Sequence, residues 1–192
     1  EKWKTGNTGF PMVDACMRSL ITTGWLNFRM RAMLMSFASY HLWLPWQITS
    51  RYLATLFTDY EPGIHYSQSQ MQSGTTGINA IRIYNPIKQG VDHDPEGIFI
   101  KKWLPELSKV PKENIHMPWV DVENLNKYMP PIVDETDARQ AAASRIYKLR
   151  REKSHKLEAD LVYIKHGSRK PRPKKIKRKI KEKKPDIQKS LF

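Results

Sequence analysis

Five ionisable side chains could do chemistry together. Arg29 and Arg31 lie inside Leu26-Asn-Phe-Arg-Met-Arg-Ala-Met-Leu-Met-Ser-Phe-Ala-Ser-Tyr-His41, among methionines and aromatics. An unpaired guanidinium in such surroundings loses on the order of several kcal/mol of hydration, so both arginines call for an anionic partner. The nearest carboxylates downstream are Asp59 and Glu61, beyond one further helical pattern. A buried ion pair, or an anionic ligand held between two helices, is the expected arrangement. His65 stands near a helix start, where a surface or internally bonded histidine and a ligand-tuning one are equally plausible readings.

The elements that must position these groups are helical. Pro11 fits a first helical position, where its missing N–H would have no partner, and Met12, Val13, Cys16, Met17 and Leu20 then recur at helical spacing up to Gly24, a natural stop. Asn27 is suited to cap a second helix reaching about His41. Pro45 closes a linker before a third helix with Tyr52, Leu53, Leu56 and Phe57 on one face. Pro62-Gly63 breaks any helix through it, which predicts a turn, a short helix over His65–Gln72 and a loop at Ser73-Gly-Thr-Thr-Gly77. Arg82–Gly90 reads as extended or turn-like, and Asp94 with Pro95 opens a helix that stops at Pro105. A brief helix is expected over Val120–Tyr128. Thr136–Lys153 reads as an amphipathic surface helix that could extend to about Lys165, with Gly167 ending it. Trp25, Trp43 and Trp103 are most simply core anchors, and Asp92-His93-Asp94 reads as a turn rather than a metal site. No stretch shows sustained β alternation and there is no internal repeat, so the fold class is all-α.

Composition sets the boundaries. The chain has 192 residues, 40% of them apolar, enough for one domain with a core and a tail. A single cysteine, Cys16, excludes an internal disulfide and a cysteine-cluster metal site, and favours a reducing compartment. Arg29, Arg31 and His41 interrupt the best candidate for the roughly 18 apolar residues of a membrane span. The net charge of +14 is uneven, because Ser168–Pro185 carries eleven Lys or Arg against one Glu. Residues 1–167 are therefore read as the domain and 168–192 as a solvated basic tail. Such an arm suits sequence-blind phosphate binding or a nuclear-import-like signal centred on Lys174–Lys179. Glu1-Lys-Trp-Lys is neither a start methionine nor a signal peptide, so a piece of a longer chain is expected.

Trp3-Lys-Thr-Gly-Asn-Thr-Gly-Phe-Pro-Met-Val-Asp-Ala-Cys-Met-Arg18, Thr23-Gly-Trp25, Arg29-Met-Arg31, Asp59, Arg82-Ile-Tyr-Asn-Pro86, Gln89, Asp94-Pro-Glu-Gly97 and Trp103-Leu-Pro-Glu-Leu107 resemble, in order and spacing, the FAD-binding C-terminal half of the photolyase/cryptochrome family. The resemblance covers residues 1 to about 120. It implies a helical domain holding FAD in a U-shape, with DNA docking on a basic face around the pocket mouth.

By that resemblance Arg31 is the arginine beside flavin N5 and the C4 carbonyl, and Asp59 is its carboxylate partner. Glu61 takes the place of a second aspartate that accepts from the ring, and Phe28 replaces a polar residue of the pocket wall. His65 replaces the residue, often asparagine, that faces N5. Ser69 and Met71 stand where repair members carry two tryptophans, one passing electrons to the flavin and one stacking on the flipped lesion. Trp46 matches the middle member of the electron-transfer tryptophan chain.

Cofactor contacts are thus expected at Phe28, Arg31, Asp59, Glu61 and His65, catalytic roles at Trp46 and His65, and no metal. The segments holding the FAD phosphates are expected upstream, in a missing N-terminal part of the same protein. DNA is the expected partner, through the pocket rim and Arg169–Lys184. Gln188-Lys-Ser-Leu-Phe192 resembles the short peptide by which many bacterial repair and replication proteins bind the sliding clamp. The activity implied is that of a deoxyribodipyrimidine photolyase-type lyase, using light-driven electron transfer from reduced flavin to damaged DNA. A cryptochrome-like photoreceptor without repair and a flavin-free nucleic-acid or clamp-binding module are the alternatives. A cytoplasmic setting is expected, nucleoid-associated in a bacterium, with a nuclear one as the alternative.

Overall fold

The computed structural model describes residues 1–76, 79–121 and 128–166, and among these there is no β-strand. The helices are α1 (Pro11–Thr23), α2 (Phe28–Ser36), α3 (Trp46–Ala54), α4 (Pro62–Gln72), α5 (Pro86–His93), α6 (Ile98–Trp103), α7 (Glu135–Arg151) and α8 (Lys153–His166). No helix among them is long and apolar enough to cross a membrane.

The core forms around α1, which packs against α2, α5 and α6. Pro11 opens α1, and Gly24 closes it at φ 69°, donating its N–H to the Leu20 carbonyl. Val13, Cys16, Met17 and Leu20 are fully buried, as their spacing predicts, and burial pushes the Cys16 thiol pKa far up. Asp14 is buried beside them. Its carboxylate accepts from the Thr8 N–H (2.7 Å), the Thr8 hydroxyl (2.6 Å), the Gly9 N–H (2.9 Å) and the Tyr128 hydroxyl. Those bonds tie the N-terminal loop and the segment before α7 to the central helix, while burial holds the Asp14 pKa above its usual value.

Asn27 caps α2 by accepting from the Met30 N–H at 3.0 Å. The helix then widens into one π-turn, Phe37–His41, where the Leu42 N–H donates to the Phe37 carbonyl. α7 docks on this turn. Its Glu135 approaches His41 Nε2 at 3.5 Å, and Ala142 is buried beneath it.

Several expectations are corrected. Pro62-Gly63 opens α4 rather than breaking it, because Pro62 takes the first helical position and the Glu61 carboxylate caps the helix. Residues 86–93 are helical, with Asn85 accepting from the Lys88 N–H. Asp94 lies one turn ahead of α6, yet its carboxylate accepts from the Phe99 and Ile100 N–H groups. The long C-terminal helix is divided at Glu152, whose ψ of 141° ends α7 before α8 starts.

Trp25 and Trp43 are 56% and 43% exposed and are not core anchors. Trp25 follows the chain reversal at Gly24, and Trp43 sits at φ 50° with the Arg145 guanidinium 4.9 Å from its ring. Trp103 is half-buried against the core. The helix expected over 120–128, the stop at Gly167, the basic tail and the Gln188–Phe192 peptide fall wholly or mostly outside the described residues.

Candidate functional site

Asp59 and Glu61 follow α3 in the strand-free segment that leads into α4, and Arg31 rises from α2 to meet them. Between α2, residues 57–61 and α4 lies a cleft of about 430 Å³, a size suited to a small-molecule ring system. Phe28, Arg31, Asp59, Glu61, His65 and Ser69 all line it.

Arg31 is fixed on three sides. Its Nε donates to the Leu26 carbonyl at 2.6 Å, its Nη2 donates to Asp59 Oδ2 at 2.8 Å, and its guanidinium carbon lies 4.1 Å from the centre of the Phe57 ring. The side chains of Arg31 and Asp59 are 25% and 50% exposed. The pair thus faces the cleft rather than lying sealed in the core. The hydrogen bond from Arg31 holds the Asp59 carboxyl below its usual pKa. Arg29, by contrast, is exposed and turns away to a neighbouring hollow with Met12 and Phe99, so the expectation of two embedded arginines holds for one only.

Glu61 does double duty. Its Oε2 accepts from the Ile64 N–H at 2.6 Å as the α4 cap, so a carboxylate read from the sequence as a ring acceptor has one oxygen committed to the helix. The residue still stands in the cleft wall.

His65 is held from behind by α3. Its Nε2 lies 2.8 Å from the Ser50 carbonyl and 3.0 Å from the Ser50 hydroxyl. A carbonyl only accepts, so this network assigns the ring proton to Nε2. Phe57, Tyr60 and Tyr66 meet the imidazole edge-on. Burial, reinforced by the charge of Arg31, keeps the His65 pKa below its ordinary value despite the bond to Ser50.

Trp46 does not line this cleft. It borders a separate hollow of about 550 Å³ with Tyr40, Trp43 and Arg150. That hollow is the larger of the two, but it gathers fewer fixed polar groups. Two residues, one behind the cleft and one in its wall, were not singled out in the sequence. Ser50 is fully buried behind His65, and Gln68 lines the cleft with its Oε1 buried and without a hydrogen-bond partner among the described residues. The polar recurrence His65, Gln68, Ser69, Gln72 along one face of α4 is the signal that could have found Gln68.

The sequence model of the FAD-binding domain of DNA photolyase matches residues 1–148. Cryptochrome-2 of Arabidopsis thaliana is 39% identical over 159 residues, 77% of this chain and 26% of its own length. The deoxyribodipyrimidine photo-lyase of Escherichia coli is 37% identical over 144 residues, 72% of this chain and 30% of its own. Among solved structures, the archaeal photolyase from Sulfolobus tokodaii, described with two FAD molecules, superposes with a TM-score of 0.72 at 35% identity, covering 77% of this chain and 34% of that one. The chain therefore belongs to the photolyase/cryptochrome family through its FAD-binding domain, whose cofactor is FAD. It spans about a third or less of the length of these relatives.

The cleft suits the ring of that cofactor. Arg31, paired with Asp59, presents a fixed positive charge, His65 and Gln68 add polar side chains to the wall, and Trp25 and Phe28 supply flat apolar walls.

Proposed function

We propose that this chain is the flavin-holding part of a DNA photolyase-type lyase, in which light drives an electron from reduced flavin into a damaged base. The observation that carries the proposal is the Arg31–Asp59 pair standing on Phe57 at the cleft wall. Bound, reduced FAD supplies a light-absorbing electron donor. Arg31, Asp59, His65 and Gln68 would hold its polar edge, while Trp25 and Phe28 would flank the ring. A guanidinium already fixed by the Leu26 carbonyl and Asp59 needs no reorganisation to stabilise negative charge, which is why such a group acts more strongly there than water would.

On this reading the DNA partner meets the mouth of the cleft and the basic arm at 169–184, and the Gln188–Phe192 peptide reaches a sliding clamp. A pull-down in which Leu191→Ala and Phe192→Ala bind clamp as well as the parent would remove the last element.

One observation favours a second reading. Ser69 lines the cleft with a side chain too short to relay electrons or to stack on a base, and Met71 lies outside the lining. A blue-light photoreceptor without repair activity fits those two positions. The test is turnover of ultraviolet-damaged DNA under blue light. Light-dependent loss of the lesion, abolished in Arg31→Ala, is the expected result; a flavin-loaded protein that leaves every lesion in place would establish the photoreceptor instead.

A further inference from the structure

The hydrogen bonds behind His65 form a directed chain. The Ser50 hydroxyl donates its one proton to Ser69 Oγ at 2.8 Å, so at 3.0 Å from His65 Nε2 it must accept. The Ser50 carbonyl, at 2.8 Å, independently requires a proton on that nitrogen. The order is therefore His65 Nε2–H, Ser50 Oγ–H, Ser69 Oγ–H. Ser69 Oγ accepts from Ser50, and its own proton has no acceptor among the described residues. Ser50 is sealed from solvent and Ser69 nearly so, yet Ser69 lines the cleft. The Ser50–Ser69 part of the chain is thus buried, and its Ser69 end meets the cleft.

We propose that His65, Ser50 and Ser69 are a proton relay from the imidazole to the cleft wall, with Ser69 as its outlet. The chemistry balances as a shift of three protons. Once Nδ1 has taken up a proton, the Nε2–H bond breaks as a new bond forms to Ser50 Oγ. Ser50 passes its former proton to Ser69 Oγ, and Ser69 releases its own to a basic atom in the cleft, either a water oxygen or a ring nitrogen of a bound heteroaromatic. The imidazolium becomes a neutral imidazole protonated on Nδ1, and the acceptor gains the charge. Burial and the nearby Arg31 both disfavour the charged ring and so favour its loss of that proton. A tryptophan at position 69 could not carry this step, because an indole N–H donates but does not accept. The relay depends on the proposed flavin reading only for the identity of the final acceptor.

Nuclear magnetic resonance of the protein labelled with ¹⁵N-histidine reads the relay directly, through the tautomer of His65 and the exchange of its Nε2–H with water. The parent is expected to show the Nε2–H tautomer. Ser50→Ala and Ser69→Ala should each slow exchange about a hundredfold, the low end of what a positioned proton-transfer group contributes. Ser50→Thr and Ser69→Thr, which keep a hydroxyl, should restore most of the rate. Hydroxyls that only satisfy one another's hydrogen bonds would leave exchange unaffected. Equal rates in the parent and in whichever alanine variants fold, or a ring protonated on Nδ1 alone, would overturn the relay. Flavin retention, measured on the same samples, separates the two claims. Normal exchange behaviour without flavin removes the cofactor reading and keeps the relay, whereas bound flavin with alanine variants that exchange like the parent does the reverse.

Discussion

At the scale of single residues, the chemistry rests on ion pairs and imidazoles held at the margin between core and water. Arg31–Asp59 is half open, so it adds little to stability, no more than about 0.5 kcal/mol, and Asp59→Asn should barely move the thermal midpoint while weakening flavin retention. Because the folded Asp59 pKa lies below its usual 3.8, the pair is intact above that value and is lost only as pH falls through the depressed one. A flavin-retention curve that began to fall near neutrality would therefore implicate another group. His41 behaves oppositely. Buried against Phe37, it is held neutral and its pKa is lowered from 6.5, so the unfolded chain binds the extra proton first. Stability should be complete above about pH 6.5 and decline below it. His41→Gln should flatten that decline in melts recorded from pH 7.5 to 5.5, and an unchanged slope would assign it to the half-buried His65 and the buried His116, whose pKa values are also lowered.

At the scale of elements, caps and turns decide where the cleft walls stand. Glu61→Ala removes the only side-chain cap on α4 and should cost about 1 kcal/mol, read as a lower denaturation midpoint, because the Ile64 N–H would lose its acceptor. Gly74→Ala should cost at least about 1 kcal/mol as well. Its φ is 75°, and a Cβ there would come within 2.6 Å of the Tyr40 hydroxyl, which lies under the turn after α4. A variant as stable as the parent would mean that Tyr40 or the turn can shift. These elements also show what local signals can tell. Pro11, Gly24 and Asn27 act where capping chemistry says they should, since each acts through its own backbone neighbours. Pro62 misled because the same residue that cannot sit inside a helix is favoured at its first position, and the Glu61 cap that decides between the two is a three-residue reach. The π-turn at Phe37–His41 and the break at Glu152 have no such local mark. Arg31 and Asp59 were found through their chemistry and the family likeness, whereas Ser50 was not: its role exists only because α3 brings it behind α4.

At the scale of the molecule, one helical body carries the cleft, and a strongly basic segment follows it in the sequence. On the proposed reading that segment strengthens DNA binding through counterion release, so deleting residues 168–185 should weaken affinity at low salt and flatten its dependence on salt concentration. Unchanged affinity would confine DNA contact to the body. The body must still hold a flavin for any of this to matter. The most direct measurement is the visible absorption spectrum of the protein purified as its own cell makes it, beside Arg31→Ala prepared the same way and shown to be folded. The account predicts flavin bands in the parent that are lost or sharply reduced in the variant. A colourless parent, or a variant that keeps its flavin in full, would contradict it.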